Sequence, residues 1–168
     1  MNYDTDTILF DDSELFYDWK PYTDQVTGGL STADVQQHDN YASFHGKIKP
    51  TSVGSWASLR SNKVERDLSA IKGVELKIRT DGRPFTFEME FNPAWQDVKV
   101  GCKVYPKASM WSVIKLPLSH FEMIHLNNVV GNYVNDAVFS NIKRFNFFIA
   151  EKIKADFRLD ICHIKFYS

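Results

Sequence analysis

The chain has 168 residues, which is enough for one domain with its own hydrophobic core. Lys and Arg number 20 and Asp and Glu number 21, so the net charge is −1 and the basic excess typical of nucleic-acid binders is absent. Aromatic residues make up 14% of the chain, which favours strands because aromatic side chains pack well on pleated surfaces.

The acidic N-terminal stretch "MNYDTDTILFDDSELF" matches neither a secretory signal nor a mitochondrial presequence. No apolar run approaches the length that a membrane span requires, so we expect no membrane insertion. The sequence predicts a cytoplasmic protein with one domain over residues 1–168, in which residues 1–15 form an N-terminal strand or extension.

The first distinctive motif is "TGGLS" at residues 27–31. A phosphate-binding loop needs a Lys after its glycines and a helix behind them, and this segment has neither. On the residues alone, Gly28 and Gly29 predict a tight turn with positive φ or a close backbone contact.

Short alternating segments dominate the rest of the chain. In "GSWASLRS" (54–61), Trp56, Ser58 and Arg60 share one face, and Ala57 and Leu59 share the other. Segments 74–80 and 85–91 also alternate, and "DGRP" between them predicts a turn. We therefore expect these two segments to form a hairpin, with residues 86, 88 and 90 on a solvated face.

The last segment, 157–167, alternates with an end that is apolar on both faces, which predicts burial of that end on both sides. Helix signals are weak: residues 61–70 could hold one turn, and residues 134–142 predict a short helix capped by Asn135 or Asp136. Many short strands and few helical turns predict an all-β sandwich or barrel, and a final strand of this kind agrees with a jelly roll.

The residues that carry chemistry form no recognisable catalytic or metal-binding pattern. The five His residues are not at metal-ligand spacing, and no nucleophile elbow occurs, so we expect no metal site, no cofactor and no catalytic residue. We expect His120 and His125 to be exposed and His163 to be a satisfied core or interface residue. Cys102 and Cys162 are expected to be buried free thiols.

The four Trp residues have two possible roles. Most would fill the core, but exposed rings beside polar residues also serve as platforms for sugars or as anchors in protein interfaces. The sequence alone leaves both roles open for each Trp.

The order of motifs resembles the CIA30 family, named for a complex I intermediate-associated protein. The resemblance runs from Trp19 almost to the C-terminus, and it is carried by Trp19, Asp24 and five stretches, namely "GGLS", "GSWASLRS", "RDLSAIKGVELKIRTDGRPF", "WSVIKLPLSHF" and "FRLDICHIKFY". The chain departs from the family pattern at "GSW" and at "EMIHLNNVVGNY" (122–133). The acidic N-terminus favours a bacterial relative over a mitochondrial precursor.

The resemblance implies a galactose-binding-like jelly-roll β-sandwich and a non-enzymatic protein that contacts a protein partner, as an assembly factor or chaperone does. A respiratory complex subunit is the partner that the family name suggests. The resemblance also selects the candidate binding residues, to which the Trp of "GSW" is added: Asp24, Gly28, Gly29, Ser31, Trp56, Ser58, Arg60, Asp81 and Arg83. From the residues themselves, Arg60 and Asp81 could form an ion pair.

Two other functions remain open from the sequence. A carbohydrate-binding module would use the same fold, with Trp and Tyr beside Asp and Arg. A hydrolase or lyase on this fold would need a cleft in which titratable groups with shifted pKa values converge.

Overall fold

A computed structural model of the protein describes residues 6–11, 19–132 and 134–168. The described residues form thirteen antiparallel strands in two sheets. Their bounds are β1 Thr7–Leu9, β2 Lys20–Thr23, β3 Thr32–Gln37, β4 Ala42–Ile48, β5 Trp56–Arg60, β6 Gly73–Thr80, β7 Phe85–Glu90, β8 Lys99–Val104, β9 Ser112–Pro117, β10 Glu122–His125, β11 Asn128–Gly131, β12 Arg144–Ala150 and β13 Ala155–Tyr167. Short 3₁₀ helices cover Asp24–Thr27, Leu118–His120 and Asp136–Asn141.

The six-stranded sheet has the order β3-β4-β13-β6-β9, and β1 pairs with β13 beside this path. The seven-stranded sheet has the order β11-β10-β8-β7-β12-β5-β2. The all-β sandwich predicted from the alternating segments is confirmed. Of the predicted N-terminal strand or extension (1–15), residues 7–9 form β1, whereas residues 1–5 and 12–15 lie outside the described residues.

The core lies between the sheets and is rich in Phe. The ring of Phe147 on β12 contacts several other rings of the core. Its centroid is 5.3 Å from that of Phe87, 5.9 Å from those of Phe85 and Trp19, and 6.3 Å from that of Phe10. Such tilted and edge-on pairs add to the stabilisation that comes from burying the rings. Many of the aromatic residues in the sequence are therefore packed in the core.

The predicted hairpin between segments 74–80 and 85–91 is wrong. Strand β6 lies in the six-stranded sheet and β7 in the seven-stranded sheet, so the "DGRP" turn carries the chain across the sandwich. Both segments have one apolar face because each turns that face to the same core from opposite sides. The alternation is the same for a hairpin and for such a crossover, which is why the sequence did not distinguish them.

A β-bulge explains the mixed pattern of the last strand. The register of β13 against β6 shifts between Ile161 and His163. Leu159 and Ile161 before the bulge and Ile164 and Phe166 after it are all buried, so the core face changes parity at the bulge.

The helix predictions have mixed outcomes. Asn135 caps the 3₁₀ helix Asp136–Asn141 by accepting a hydrogen bond from the Ala137 backbone N–H, as predicted. Residues 61–70 form no helix. Among the described residues, no helix has the length and apolarity that crossing a membrane would require.

Candidate functional site

An open groove lies on the face of the seven-stranded sheet that points away from the core. Its volume is about 430 Å³. Residues from β5, β7, β8 and β12 form its floor, and β2, three loops and the 3₁₀ helix Asp24–Thr27 form its walls. The lining residues are Tyr22, Val26, Thr27, Val53, Trp56, Ser58, Arg60, Glu88, Trp95, Lys99, Leu126, Asn127, Asn146 and Phe148.

Strand alternation places the polar floor of the groove. Ala57 and Leu59 point into the core, so Ser58 and Arg60 point into the groove. On β12, which lies between β5 and β7, Asn146 lies opposite Arg60 on one side and opposite Glu88 on the other. The antiparallel register thus brings side chains from three strands into one row.

Hydrogen bonds connect this row. The Ser58 hydroxyl donates to Asn146 Oδ1 at 2.6 Å, and Asn146 Nδ2 donates to Glu88 Oε2 at 3.0 Å. The ammonium of Lys99 lies 3.6 Å from the same Glu88 oxygen. Together they form a connected polar floor that is shielded from bulk water.

Glu88 is the carboxyl that lines this floor. Its side chain is buried, and burial raises its pKa above the ordinary value, while the charge of Lys99 and the hydrogen bond from Asn146 act in the opposite direction. Glu90 on the same strand has a stronger partner, because Arg60 Nε and Nη2 donate to its two oxygens at 3.0 and 2.9 Å.

The walls of the groove are apolar. Tyr22, Val26, Val53, Trp95 and Leu126 line the groove, and each exposes more than a third of its surface. Contiguous exposed apolar surface of this kind marks interaction sites in soluble proteins.

The rings of Trp56 and Phe148 extend the apolar surface across the floor. They stack with centroids 5.8 Å apart and planes 26° apart. Trp56 thus belongs to the groove, as does the exposed Trp95, whereas Trp19 is buried in the core. Trp111 is exposed on the other side of the molecule, near β9 of the six-stranded sheet. Of the two roles considered, the core role therefore holds for Trp19, and the binding role stays a prediction for the Trp residues of the groove.

The "GGLS" motif forms a buried cluster around Asp24 behind one wall of the groove. The Ser31 N–H and hydroxyl donate to the Asp24 carboxylate at 2.9 and 2.6 Å, and the Trp56 N–H donates to it at 3.1 Å. The Ser31 oxygen also accepts a hydrogen bond from the Lys49 N–H at 3.0 Å. One carboxylate thus ties the 3₁₀ helix to the starts of β3 and β5.

The two glycines of this motif have different tasks. Gly28 ends the 3₁₀ helix with φ of +90°, in the left-handed region that glycine adopts most easily. Gly29 allows close approach, because a Cβ at this position would lie 2.2 Å from Asp24 Oδ1. The turn and the close contact predicted from the sequence are both present.

The predicted site residues therefore fall into three groups. Trp56, Ser58 and Arg60 line the groove. Asp24 and Ser31 are fully buried in the cluster that Gly28 and Gly29 make possible. The third group, Asp81 and Arg83, lies at the crossover turn and outside the groove lining.

Arg60 does not pair with Asp81 as suggested from the sequence, since its partner is Glu90 on β7, across the intervening strand β12. Asp81 instead lies 3.5 Å from Arg83, which also binds Glu151 at 3.0 Å. These contacts brace the crossover turn against the segment that follows β12.

The groove also contains residues that the sequence did not reveal, among them Glu88, Lys99 and Asn146 in the floor and Tyr22 and Trp95 in the walls. The expectation that residues 86, 88 and 90 form a solvated face is wrong, because all three are buried. Asn146 and Lys99, which contact Glu88, lie on β12 and β8, so alternation along β7 carried no signal for its burial.

The remaining candidate residues lie apart from the groove. Cys102 is buried and Cys162 is half-buried, and both thiols are free. Burial raises the pKa of Cys102 to about 11, with a smaller contribution from Glu122, which keeps this thiol protonated. His120 and His125 are exposed as predicted, and His163 Nε2 lies 3.2 Å from Glu75. Within residues 6–11, 19–132 and 134–168, no group of three or more His, Cys, Asp or Glu side chains could hold a metal ion.

The two antiparallel sheets, their strand order and the groove on one sheet define a jelly-roll β-sandwich. Solved structures share this fold. A family 11 carbohydrate-binding module from Clostridium thermocellum, solved with a β-1,3-1,4-mixed-linked tetrasaccharide, is 17% identical with a TM-score of 0.67, over 96% of this chain and 95% of that chain. The family 11 module of the cellulosomal cellulase Lic26A-Cel5E from the same organism is 16% identical with a TM-score of 0.67, over 96% of this chain and 94% of that one.

A crystal structure of an agarase is 9% identical with a TM-score of 0.60, over 96% of this chain but only 26% of the agarase. At these identities the likeness establishes the fold. No curated protein matches the chain closely enough for comparison.

The family is established by the sequence itself. Residues 8–161 match the model of the complex I intermediate-associated protein 30 (CIA30) family, and the chain belongs to that family. The resemblance drawn from the ordered motifs is thereby confirmed over nearly the whole chain.

Proposed function

We infer that this protein is a non-enzymatic binding module whose groove holds a segment of a protein partner. The observation that carries this proposal is the exposed apolar wall over a polar floor whose groups are paired with one another. The family is named for a protein associated with a complex I intermediate, so a subunit of a respiratory complex is the first partner to test. The cytoplasm remains the predicted compartment, which cell fractionation would check.

The walls favour a protein ligand. Val26, Val53 and Leu126 present branched aliphatic side chains, which pack well against the apolar side chains of another protein. Sugar rings, in contrast, bind best on flat aromatic surfaces. A groove of about 430 Å³ holds a few side chains of an extended segment, and the rest of such a segment would lie over the walls.

The floor favours binding over catalysis. Both oxygens of Glu90 accept hydrogen bonds from Arg60, and Glu88 shares Oε2 between Asn146 and Lys99. Both carboxylates are held by partner side chains, which suits a rigid base for a ligand, although the partners of Glu88 do not offset the effect of burial on its pKa. Loss of one partner would leave a buried charge uncompensated, so the floor also fixes the strands beneath the groove.

Site-specific photo-crosslinking tests the proposal. A benzoylphenylalanine at Val53, which is 50% exposed in the groove wall, should capture one discrete protein from an extract of the native cell. The matched control is the same probe at Val113, which is 57% exposed on β9 of the other sheet. Equal capture from both positions, or none from Val53, would contradict a protein-binding groove.

A carbohydrate ligand is the second candidate. It is favoured by the rings of Tyr22, Trp56, Trp95 and Phe148, which lie in the same groove as the amide of Asn146. The structural neighbour solved with a β-1,3-1,4-mixed-linked tetrasaccharide supplies the first ligand to try. Calorimetric titration with that tetrasaccharide should show saturable heat that Trp95→Ala abolishes, and absence of binding at millimolar sugar would exclude this ligand.

A further inference from the structure

The hairpin formed by β10 and β11 ends the seven-stranded sheet beside the groove. Strand β11 pairs with β10 on one side. On its other side, no strand from the described part of the chain is paired with it. Leu126 and Asn127 form the two-residue turn of this hairpin and also line the groove. The free edge and the groove therefore share the same turn.

The two edges of this sheet differ in how they are protected. The opposite edge strand, β2, carries Lys20 and Pro21, which are typical devices against pairing with another chain. Strand β11 reads Asn-Val-Val-Gly, with neither a charge nor a proline. Val129 and Val130 each expose more than half of their surface. This edge therefore lacks a charge and a proline, and its protection is limited to its four-residue length and to the register shift between Met123 and Ile124.

The register of the hairpin leaves polar backbone groups at this edge. His125 and Asn128 flank the two-residue turn, and Ile124 faces Val129 in the next pair. In an antiparallel ladder the pair that flanks such a turn exchanges hydrogen bonds, and the next pair does not. The N–H and C=O of Val129 consequently point to the free edge.

The turn itself holds a bulky residue in an unusual conformation. Leu126 has φ of +48°, in the left-handed region that branched side chains seldom adopt, and its side chain is mostly exposed. Asn127 has φ of +66°, so the two residues have the pair of positive φ angles that a type I′ hairpin turn requires. The turn presents a leucine at the boundary between the edge and the groove.

We propose that the free edge of β11 accepts an extended strand of the protein partner, next to Leu126 and the groove. This inference rests on the proposed function. Addition of a strand to an exposed edge is a recurrent mode of peptide recognition, in which backbone hydrogen bonds supply affinity and side-chain pockets supply specificity. The free N–H and C=O of Val129 would form the backbone hydrogen bonds, and the apolar walls of the groove would form the side-chain pockets.

A partner segment fits this edge better than a second copy of the chain does. Four residues extend over about 13 Å, so pairing of β11 with its own copy would cover only a narrow strip. A stable dimer usually buries at least about 1,200 Å² in total. A partner that pairs with β11 and also enters the groove would bury the larger apolar surface that this neighbourhood exposes.

Displayed 12-residue random peptides, selected on the full chain, provide the probe for a test. The selected peptides should protect the Val129 amide from hydrogen exchange. Val129→Pro, which removes the donor at the free edge, should lower their affinity about tenfold, as expected for loss of an unreplaced hydrogen bond. Val129→Lys, which copies the protection of β2, should act similarly, whereas the matched control Val129→Thr should bind like the native chain.

Circular dichroism of each variant checks that the fold is retained, and Val129→Lys keeps the test valid should the proline variant unfold. Peptides whose affinity is unaffected by Val129→Lys but is lost in Trp95→Ala would overturn the strand-addition proposal and leave the protein-binding groove intact. Absence of any selected peptide would overturn both. A concentration-dependent dimer that Val129→Lys disrupts would also overturn the proposal, because it would identify a second copy as the occupant.

Discussion

Two buried carboxyl groups, Asp160 and Glu88, lie on the outer faces of the two sheets, and their surroundings differ. Asp160 on β13 accepts hydrogen bonds from the Ser43 hydroxyl, from Arg79 Nε at 2.9 Å and from Arg158 Nε at 3.0 Å. Burial raises its pKa, but these hydrogen bonds and the charge of Arg158 together bring the pKa below its ordinary value. Glu88 has only Asn146 and a more distant Lys99, and its pKa is raised.

The difference separates a structural cluster from a candidate binding site. Aromatic rings help to hold the Asp160 cluster together, since the guanidinium of Arg79 lies 5.3 Å from the ring centre of Tyr41 and 4.8 Å from that of Trp111. Glu88 instead lies in the floor of a groove open to ligands. Under-compensated buried groups in a cleft are typical of functional sites, where stability is lower than it would be with full pairing.

The largest effect is expected at Asp24, a third buried carboxylate, which resembles Asp160 in being fully satisfied. Gly29→Ala should lower the free energy of unfolding by about 3 kcal/mol, because the new Cβ displaces the Asp24 carboxylate from its three donors. Chemical denaturation measures this effect.

The neighbouring glycine supplies the control for that substitution. Gly28→Ala meets no atom within 4 Å and should cost only about 1 kcal/mol, from the left-handed conformation alone. Equal effects at Gly28 and Gly29 would show that the turn, rather than the contact with Asp24, determines the need for glycine.

The next largest effect is expected in the Asp160 cluster on the six-stranded sheet. Asp160→Asn should lower the free energy of unfolding at neutral pH by about 2 kcal/mol, since the amide places a donor against two guanidinium groups. Thermal and urea denaturation would measure it. A change near zero would mean that Arg79 and Arg158 are stabilised by other contacts and that their hydrogen bonds to Asp160 do not stabilise the fold.

The smallest effect on the free energy of unfolding is expected at Glu88, where the direction of the change with pH is the informative result. Because the pKa of Glu88 is raised in the folded state, the folded chain holds its proton to higher pH than the unfolded chain does. Stability from this group therefore falls as pH rises from the ordinary pKa of Glu towards the raised value. Glu88→Gln should change stability little at low pH and should become more stable than the native chain as pH rises through this window.

Asp160 should behave in the opposite way. Its lowered pKa contributes stability that is present above the ordinary pKa of Asp and is lost as pH falls towards the lowered value. The advantage of the native chain over Asp160→Asn should thus shrink on acidification. Parallel pH profiles for Glu88→Gln and Asp160→Asn would contradict the distinction between the two clusters.

The sequence predicted those parts of the molecule that depend on local pattern. Alternation correctly placed Trp56, Ser58 and Arg60 on one face of β5, and "GGLS" correctly indicated a turn with a close contact. The partner of that contact is Asp24, whose hydrogen bond to the Trp56 N–H joins residues 32 positions apart. No local pattern encodes such a contact.

The sequence failed where the same pattern fits two arrangements. The apolar faces of β6 and β7 suit a hairpin and a crossover equally. The sequence predicted a solvated Glu88 because residues that contact it, such as Lys99 on β8, come from other segments. The groove could not be predicted because it depends on the order of strands in the seven-stranded sheet.

Two exposed tryptophans on opposite sides of the molecule test whether the groove is the binding surface. Trp95 in the groove wall is 40% exposed, and Trp111 beside Arg79 on the other side is 37% exposed. Affinity for the protein captured from position 53 should be measured by calorimetry with Trp95→Ala and with Trp111→Ala. Trp95→Ala should lower the affinity about tenfold or more, as for an interface anchor, and Trp111→Ala should keep native affinity. Native affinity in Trp95→Ala with a loss in Trp111→Ala would contradict binding in the groove and move the binding surface to the six-stranded sheet.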